Sequence, residues 1–287
     1  MDKKYIISYS IPSKKKHLRI KSSIPYTIIQ TMKTNRVPQK MYNAAMSWSN
    51  KNPEYDYEFF DDNRIIEFIK SNYDDNILTK FMVINIGAAK ADFFRWLYLY
   101  KYGGVYIDID SECLNPIHNL SKKYQNINNI FISKSIWTQL KDVGFDYKGH
   151  RINHNLIFSS PNHFLLKKAI DNSLLVFNKA YKNKKNIQMP QDLCGPSVLG
   201  ISLNIILNRS RLSHFFPNVF KFNRKLGNFT VILLSPDLVL NYIMPKYQGY
   251  GMHYGKYSPP AFSFIQCKKY LNENNIDMNG NKLNLIN

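Results

Sequence analysis

Carboxylates are the scarce charge in this sequence: 20 Asp and Glu stand against 39 Lys and Arg, a formal net charge of +19. An excess of this kind points to polyanions, anionic lipid surfaces or phosphorylated substrates. Lys, Asn and Ile are abundant throughout, so scattered solvated lysines account for the same number equally well. Cysteine is also scarce. Cys113, Cys194 and Cys267 are widely spaced, with no CxxC pair and no histidine at zinc-like intervals, which excludes a disulfide scaffold and a zinc module and suits a reducing compartment. Long apolar runs are missing too. The apolar patch from Tyr5 to Ile11 ends in the basic leader "KKKHLRIK" and is too short for a signal anchor or a membrane-crossing helix. The expectation is therefore a cytoplasmic protein, soluble or peripheral on a membrane. With 44% apolar and 14% aromatic residues the chain has ample core material. It shows no internal repeat and no linker long enough to demand two domains. The organisation expected is a leader over 1–22, a catalytic domain over 23–265 and a tail over 266–287, loose from Asn272.

The pattern along the chain alternates strand and helix, the mark of an α/β sheet with crossovers. Ser23 to Met32 is rich in β-branched residues and reads as a buried first strand. Helical spacing of Met41, Ala44, Ala45 and Trp48 follows, closed by Pro53. "EYDYEFFDD" reads as a strand and Asn63 to Ser71 as a helix. The clearest unit is a helix over 88–102, stopped by Gly103-Gly104 and followed by the strand "VYIDID". His154 to Ser160 reads as a further strand, "HFLLKKAIDNSLLVFNKAY" as a long helix, and a last helix opens near Pro196.

Against the general shortage, Asp108, Asp110 and Glu112 gather at one strand end. Side chains two apart on a strand share a face, and ligands of open α/β sheets bind beyond the carboxyl ends of strands. Two adjacent carboxylates repel unless a cation lies between them. A hard divalent ion accepts carboxylate oxygens together with phosphate oxygens of a substrate. Asp92 and Arg95, three apart on the preceding helix, lie on one face of it.

The run "KADFFRWLYLYKYGGVYIDIDSECLNPI" closely resembles the glycosyltransferases with a DxD signature in their sugar-binding region, family thirty-two. This family includes capsular-polysaccharide transferases and yeast mannosyltransferases that initiate outer chains. Three further stretches resemble its pattern in the right order: the opening "IPYTIIQTMKTNRVPQKMYNAAMSWSNKNPEYDYEFFDD", then "LIFSSPNHFLL", then "CGPSVL". The resemblance covers roughly residues 23 to 260. It implies a GT-A fold, a Rossmann-like mixed sheet flanked by helices. It also implies a retaining, Mn²⁺- or Mg²⁺-dependent transferase moving a sugar from a nucleoside diphosphate sugar to a glycan or lipid-linked acceptor.

By that resemblance Asp108 lies near the ribose or donor sugar and Asp110 ligates the metal that bridges the diphosphate. Asp92 and Arg95 contact sugar hydroxyls. Gln30 and Thr31 border the nucleotide, and Gly104 is a donor-binding position. His253 is a second metal ligand or diphosphate contact, and Lys256 a phosphate contact. Asp192 and Asn155 are candidates near the anomeric carbon. Two departures bear on donor choice: Ile29 and Met32 stand where the family pattern has His and Trp, and Cys194 replaces the threonine of a TGP turn. Two other readings share some of these features. A metal-dependent enzyme acting on nucleic acid lacks support from a second acidic cluster or a stripe of interleaved aromatic and basic residues, so no nucleic acid partner is expected. A non-catalytic scaffold is disfavoured by the intact Asp92, Arg95, Asp108 and Asp110 set. The basic leader also suggests peripheral attachment to an anionic membrane.

Overall fold

Every residue from Gly104 to Ile107 is buried, because the sheet that contains them is covered on both faces. The computed structural model describes residues 4–118, 128–133, 136–140, 147–152, 154–207, 219–224, 227–234, 240–242 and 259–283. Its first strands are β1 (Lys4–Ile6), β2 (Ser10–Ile11), β3 (Thr27–Thr31), β4 (Arg36–Pro38), β5 (Asp56–Phe60), β6 (Gly104–Ile107) and β7 (Ser111–Cys113). Beyond them come β8 (Asn128–Ser133), β9 (Ile136–Leu140), β10 (Tyr147–Arg151), β11 (Leu156–Ser159), β12 (Val219–Arg224), β13 (Gly227–Leu234) and β14 (Leu240–Tyr242). Eight of these form one sheet in the order β12-β13-β8-β11-β6-β3-β5-β2, while β1 with β4, β9 with β10 and β7 with β14 make two-stranded ribbons. Strand β3 runs parallel to β5 and β6, and β11 runs antiparallel to β6 and β8. The α/β class and the mixed sheet flanked by helices are thus as expected.

Strand periodicity divides the core. Ile28, Val105, Ile107, Leu156 and Phe158 face one side, where they meet Met41, Ala45 and Trp48 of α1 (Gln39–Lys51). Their neighbours Ile29, Tyr106 and Ile157 face the other side, against Phe93, Phe94, Trp96 and Leu97 of α4 (Gly87–Tyr102). Each large side chain withdrawn from water on either face contributes about 2–3 kcal/mol. Between these helices lie α2 (Asp62–Asn72) and α3 (Asp75–Met82). Both start on a paired aspartate: the Asp61 and Asp74 carboxylates accept from the main-chain N–H of Arg64 and Ile77, and Asp62 and Asp75 occupy the first turns. Those acidic pairs are helix caps, so the pair at Asp108 and Asp110 stands apart.

Two glycines turn α4 into β6. Gly103 (φ 68°) and Gly104 (φ 108°) both have positive φ, and a β-carbon would lie 2.8 Å from Pro161 and Pro25 at the first and 2.8 Å from the Thr27 carbonyl at the second. The described residues of the expected leader and tail, 4–22 and 266–283, pack against the rest of the fold. Strand β2 pairs with β5 at the sheet edge, Ile7 is fully buried, and Arg19 binds Asp56 at 2.7 Å. At the other end the helix Phe264–Asn274 buries Cys267 and Leu271. After it, Asp277 organises a turn by accepting from Asn279 and Asn281. The stretch from Asn272 to 283, expected to be loose, is folded.

Candidate active site: a buried charge cluster beneath a carboxylate turn

Strand β6 ends at Ile107, so Asp108 and Asp110 lie on a turn rather than on the strand face expected of them. The Asp108 N–H donates to the Asn155 carbonyl at 2.8 Å, and the Ser111 N–H donates back to the Asp108 carbonyl at 3.1 Å. Gln30, fully buried on β3, donates through Nε2 to that same carbonyl at 3.2 Å and accepts from the Tyr57 hydroxyl at 2.8 Å. Helix α1 then holds the outgoing chain. Trp48 Nε1 donates to the Ser111 carbonyl at 2.7 Å, Ser47 Oγ accepts from the Cys113 N–H at 2.8 Å, and Asn52 Oδ1 accepts from the Ile117 N–H at 2.8 Å. The line of carboxylates does not continue through Glu112, because the turn resets the direction of the chain.

Beneath the turn lies Arg95, only 3% exposed. Its Nη2 is 2.8 Å from Asp108 Oδ1 and 3.0 Å from Asp92 Oδ1, Nη1 donates to the His154 carbonyl at 2.7 Å, and Nε to the Ala91 carbonyl at 3.3 Å. The guanidinium stacks on Tyr106 at 4.2 Å from the ring centre. One planar cation thus fixes two carboxylates from different elements. These bonds make Arg95 a clamp on Asp92 and Asp108.

His154 completes the cluster and was not singled out from sequence. Its Nδ1 accepts from Trp96 Nε1 at 3.1 Å, which leaves the proton on Nε2, 3.1 Å from Asp92 Oδ1. Burial holds the imidazole below its ordinary range, against the pull of Asp92. The Asp92 carboxyl is lowered; burial opposes that shift, and His154 and Arg95 outweigh it. Both groups therefore bind fewer protons folded than unfolded. For His154 the consequence is a loss of stability as pH falls below about 6.5. His154→Gln should flatten that dependence, seen as a smaller drop in urea midpoint between pH 7.5 and 5.5 than the native chain shows.

Asp108 and Asp110 present a different balance. The Asp108 side chain is 32% exposed and its carboxyl is raised by burial, with Arg95 opposing. Asp110 is pushed up to about 7, first by burial and then by the charge of Asp108. Asp110 Oδ1 is buried and has no hydrogen-bond partner. A buried carboxylate oxygen facing a second carboxylate calls for a proton or a cation, and an all-oxygen donor pair suits Mg²⁺ or Mn²⁺. Among the described residues no group of three or more His, Cys, Asp and Glu side chains could hold a metal. The pair therefore supplies at most part of a coordination sphere.

The other expected site residues fall in several places. Asn155 is brought to the turn, through its main chain. Thr31 is buried and donates through Oγ1 to the Phe60 carbonyl at 2.7 Å. Gly104 lies at the amino end of β6, the opposite end of the strand from Asp108, and forms part of the glycine turn. Asp192 accepts from Ser197 at 2.7 Å on the short helix Pro190–Cys194. Just past that helix, a β-carbon at Gly195 would lie 2.5 Å from Gln191 Cα and 2.8 Å from Asp92 Oδ2, so the Cys194-Gly195-Pro196 turn touches the cluster directly. His253 and Lys256 lie outside the described residues.

Residues 38–131 match the model of the glycosyltransferase sugar-binding region containing the DXD motif. Inositol phosphoceramide mannosyltransferase 3 of Schizosaccharomyces pombe is 38% identical over 99 residues, 33% of this chain and 28% of the relative. Inositol phosphoceramide mannosyltransferase 2 of the same yeast is 32% identical over 168 residues, 58% and 41% of the two chains. The initiation-specific alpha-1,6-mannosyltransferase of Saccharomyces cerevisiae is 30% identical over 115 residues, 37% and 24%. Each of these matches takes in less than half of the relative's length. Among solved structures, the PaToxG glycosyltransferase aligns with a TM-score of 0.47 and 17% identity, over 64% of this chain and 70% of that one. Asp92, Arg95, Asp108 and Asp110 all fall within the matched region, so the part of the chain that carries the site is similar to the DXD-containing sugar-binding region of glycosyltransferases.

Proposed function

We propose that the protein is a metal-dependent, retaining glycosyltransferase that takes a sugar from a nucleoside diphosphate sugar and delivers it to a glycan or lipid-linked acceptor. The observation that carries this reading is the unpartnered, buried Oδ1 of Asp110 beside the Asp108 carboxylate, on a turn fixed from beneath by Gln30 and Arg95. Asp110 and Asp108 would hold Mn²⁺ or Mg²⁺, which when bound neutralises charge on the departing diphosphate.

The chain's own residues supply placement. Arg95 keeps Asp108 at a fixed distance from Asp92, and neutral His154 keeps Asp92 ionised and oriented through its Nε2–H. Because these contacts form in the folded protein itself, little reorganisation is left for the moment the glycosidic bond breaks. Gly195 sets the clearance over Asp92. Gly195→Ala should displace the carboxylate or the helix before it, lowering turnover at least tenfold and stability by about 1–3 kcal/mol. Paired rate and urea measurements check both effects.

The deciding experiment is nucleotide release from a panel of UDP- and GDP-sugars, mannosyl donors among them because the matched relatives are mannosyltransferases. Each donor is tested with Mn²⁺, Mg²⁺ or chelator. Slow metal-dependent release from one donor, lost in Asp110→Ala, supports the reading and names the donor. No release from any donor, together with no metal-dependent nucleotide binding, would favour a scaffold that keeps the fold without turnover.

A further inference from the structure

From Lys3 to Pro53 the sequence holds eleven Lys and Arg and no Asp or Glu. Part of that charge is displayed in an ordered way. Strands β1 and β4 pair antiparallel with Lys4 opposite Pro38, Tyr5 opposite Val37 and Ile6 opposite Arg36. Residues directly opposite in such a pair share a face. The Tyr5–Val37 face turns inward: Val37 is fully buried and Tyr5 packs on Tyr42 of α1 at 5.5 Å. The other face carries Lys4, Ile6 and Arg36, all exposed, with Ile6 60% exposed, and Lys33 and Lys40 are exposed on either side of β4.

We propose that this outward face of the β1–β4 ribbon docks the protein on an anionic lipid bilayer. An aliphatic side chain flanked by cations, with Asp2 the one carboxylate before Glu54 in the sequence, combines the two contributions that hold a protein at a charged interface: apolar insertion and headgroup attraction. A single-stranded nucleic acid would instead need aromatic faces to stack its bases, and the aromatic ring of the ribbon, Tyr5, turns inward. The second basic cluster, Lys14 to Lys16, does not share the location. The Lys14 and Lys15 N–H groups donate to the Pro53 carbonyl, near the amino end of β5. By contrast, β4 follows directly on the carboxyl end of β3, the end at which Gln30 meets Asp108. If the proposed transferase activity holds, ribbon docking brings the donor end of the sheet to the bilayer, and the acceptor class it favours is one carried by a lipid.

The test is co-sedimentation of the full chain with vesicles of phosphatidylcholine alone and of phosphatidylcholine mixed with phosphatidylserine, at low and high salt. Binding to the mixed vesicles only, weakened by salt, is expected. The double variant Lys4→Glu/Arg36→Glu should lower the partition constant more than tenfold, and Ile6→Ser several-fold at unchanged charge. The triple variant Lys14→Ser/Lys15→Ser/Lys16→Ser should cost less than the ribbon double variant. Equal binding to both vesicle types overturns the proposal, as does loss of binding only in the triple variant, which would move the contact to the other end of the sheet. Tighter binding to an RNA homopolymer than to vesicles, unaffected by Ile6→Ser, also overturns it. Vesicle binding needs no turnover, so failure here and failure of the transferase reading are told apart by nucleotide release, which the ribbon variants should retain.

Discussion

Asp110→Asn should abolish metal-dependent nucleotide release and, in metal-free protein above neutral pH, raise the melting temperature. The two effects have one cause. The folded-state pKa of Asp110 lies near 7, above its unfolded value near 3.8, so the folded protein holds the extra proton between those values. The associated stability is fully present below the unfolded pKa and is lost as pH rises through about 7. At pH 8 the native chain therefore carries an uncompensated buried charge that asparagine removes. Melting curves of both proteins at pH 5.5 and 8, with chelator and with Mn²⁺, check this. Both proteins keep the loss at low pH that His154 brings, so the comparison is between them: relative to the variant, the native protein should lose stability on going from pH 5.5 to 8 and regain it with Mn²⁺. The variant should respond little to Mn²⁺. A native-minus-variant difference in melting temperature that ignores both pH and metal would show that Asp110 is not the strained group.

Arg95→Ala should be the most destabilising single change in the site. Buried Asp92 and half-buried Asp108 would face each other across a cavity without the cation that separates them. Breaking one partner out of a buried ion-pair network costs about 3–5 kcal/mol, which corresponds to a fall in melting temperature on the order of 10 °C for a chain of this size. Arg95→Lys should recover part of the stability and little of the activity, since an ammonium cannot span two carboxylates, a carbonyl and a ring face at once. A lysine variant with near-native turnover would show that only the charge matters.

The helix–glycine–strand unit around 87–107 was legible because its signals are local: an apolar run, a pair of glycines and a short strand. Asp92, Arg95, Asp108 and Asp110 were legible for the same reason, being close in sequence and matched to a family pattern. His154 was not, because its part depends on register. Only once Leu156 pairs with Ile107 does His154, two residues before β11, come to lie against Asp92. Gln30 was found, but its contact with the Asp108 carbonyl follows from the parallel pairing of β3 with β6, which alternating residues in β3 cannot reveal. The break at Asp108 likewise depends on Asn155 and Gln30 claiming its main-chain groups, and nothing in "VYIDID" itself ends the strand.

The way α1 grips the chain beyond the turn has an evolutionary consequence. Apart from one side-chain contact, Asn52 Nδ2 to Cys113 Sγ at 3.6 Å, Trp48, Ser47, Asn52 and Lys51 hold residues 111–117 through carbonyls and N–H groups of Ser111, Cys113, Leu114 and Ile117. These are atoms every residue type possesses, proline's missing N–H aside. Glu112 and the exposed Leu114 are therefore released from the duty of holding the loop in place. Selection can rewrite these positions beside the carboxylate turn while the path of the backbone is inherited unchanged, so specificity can drift here without the fold having to be solved again.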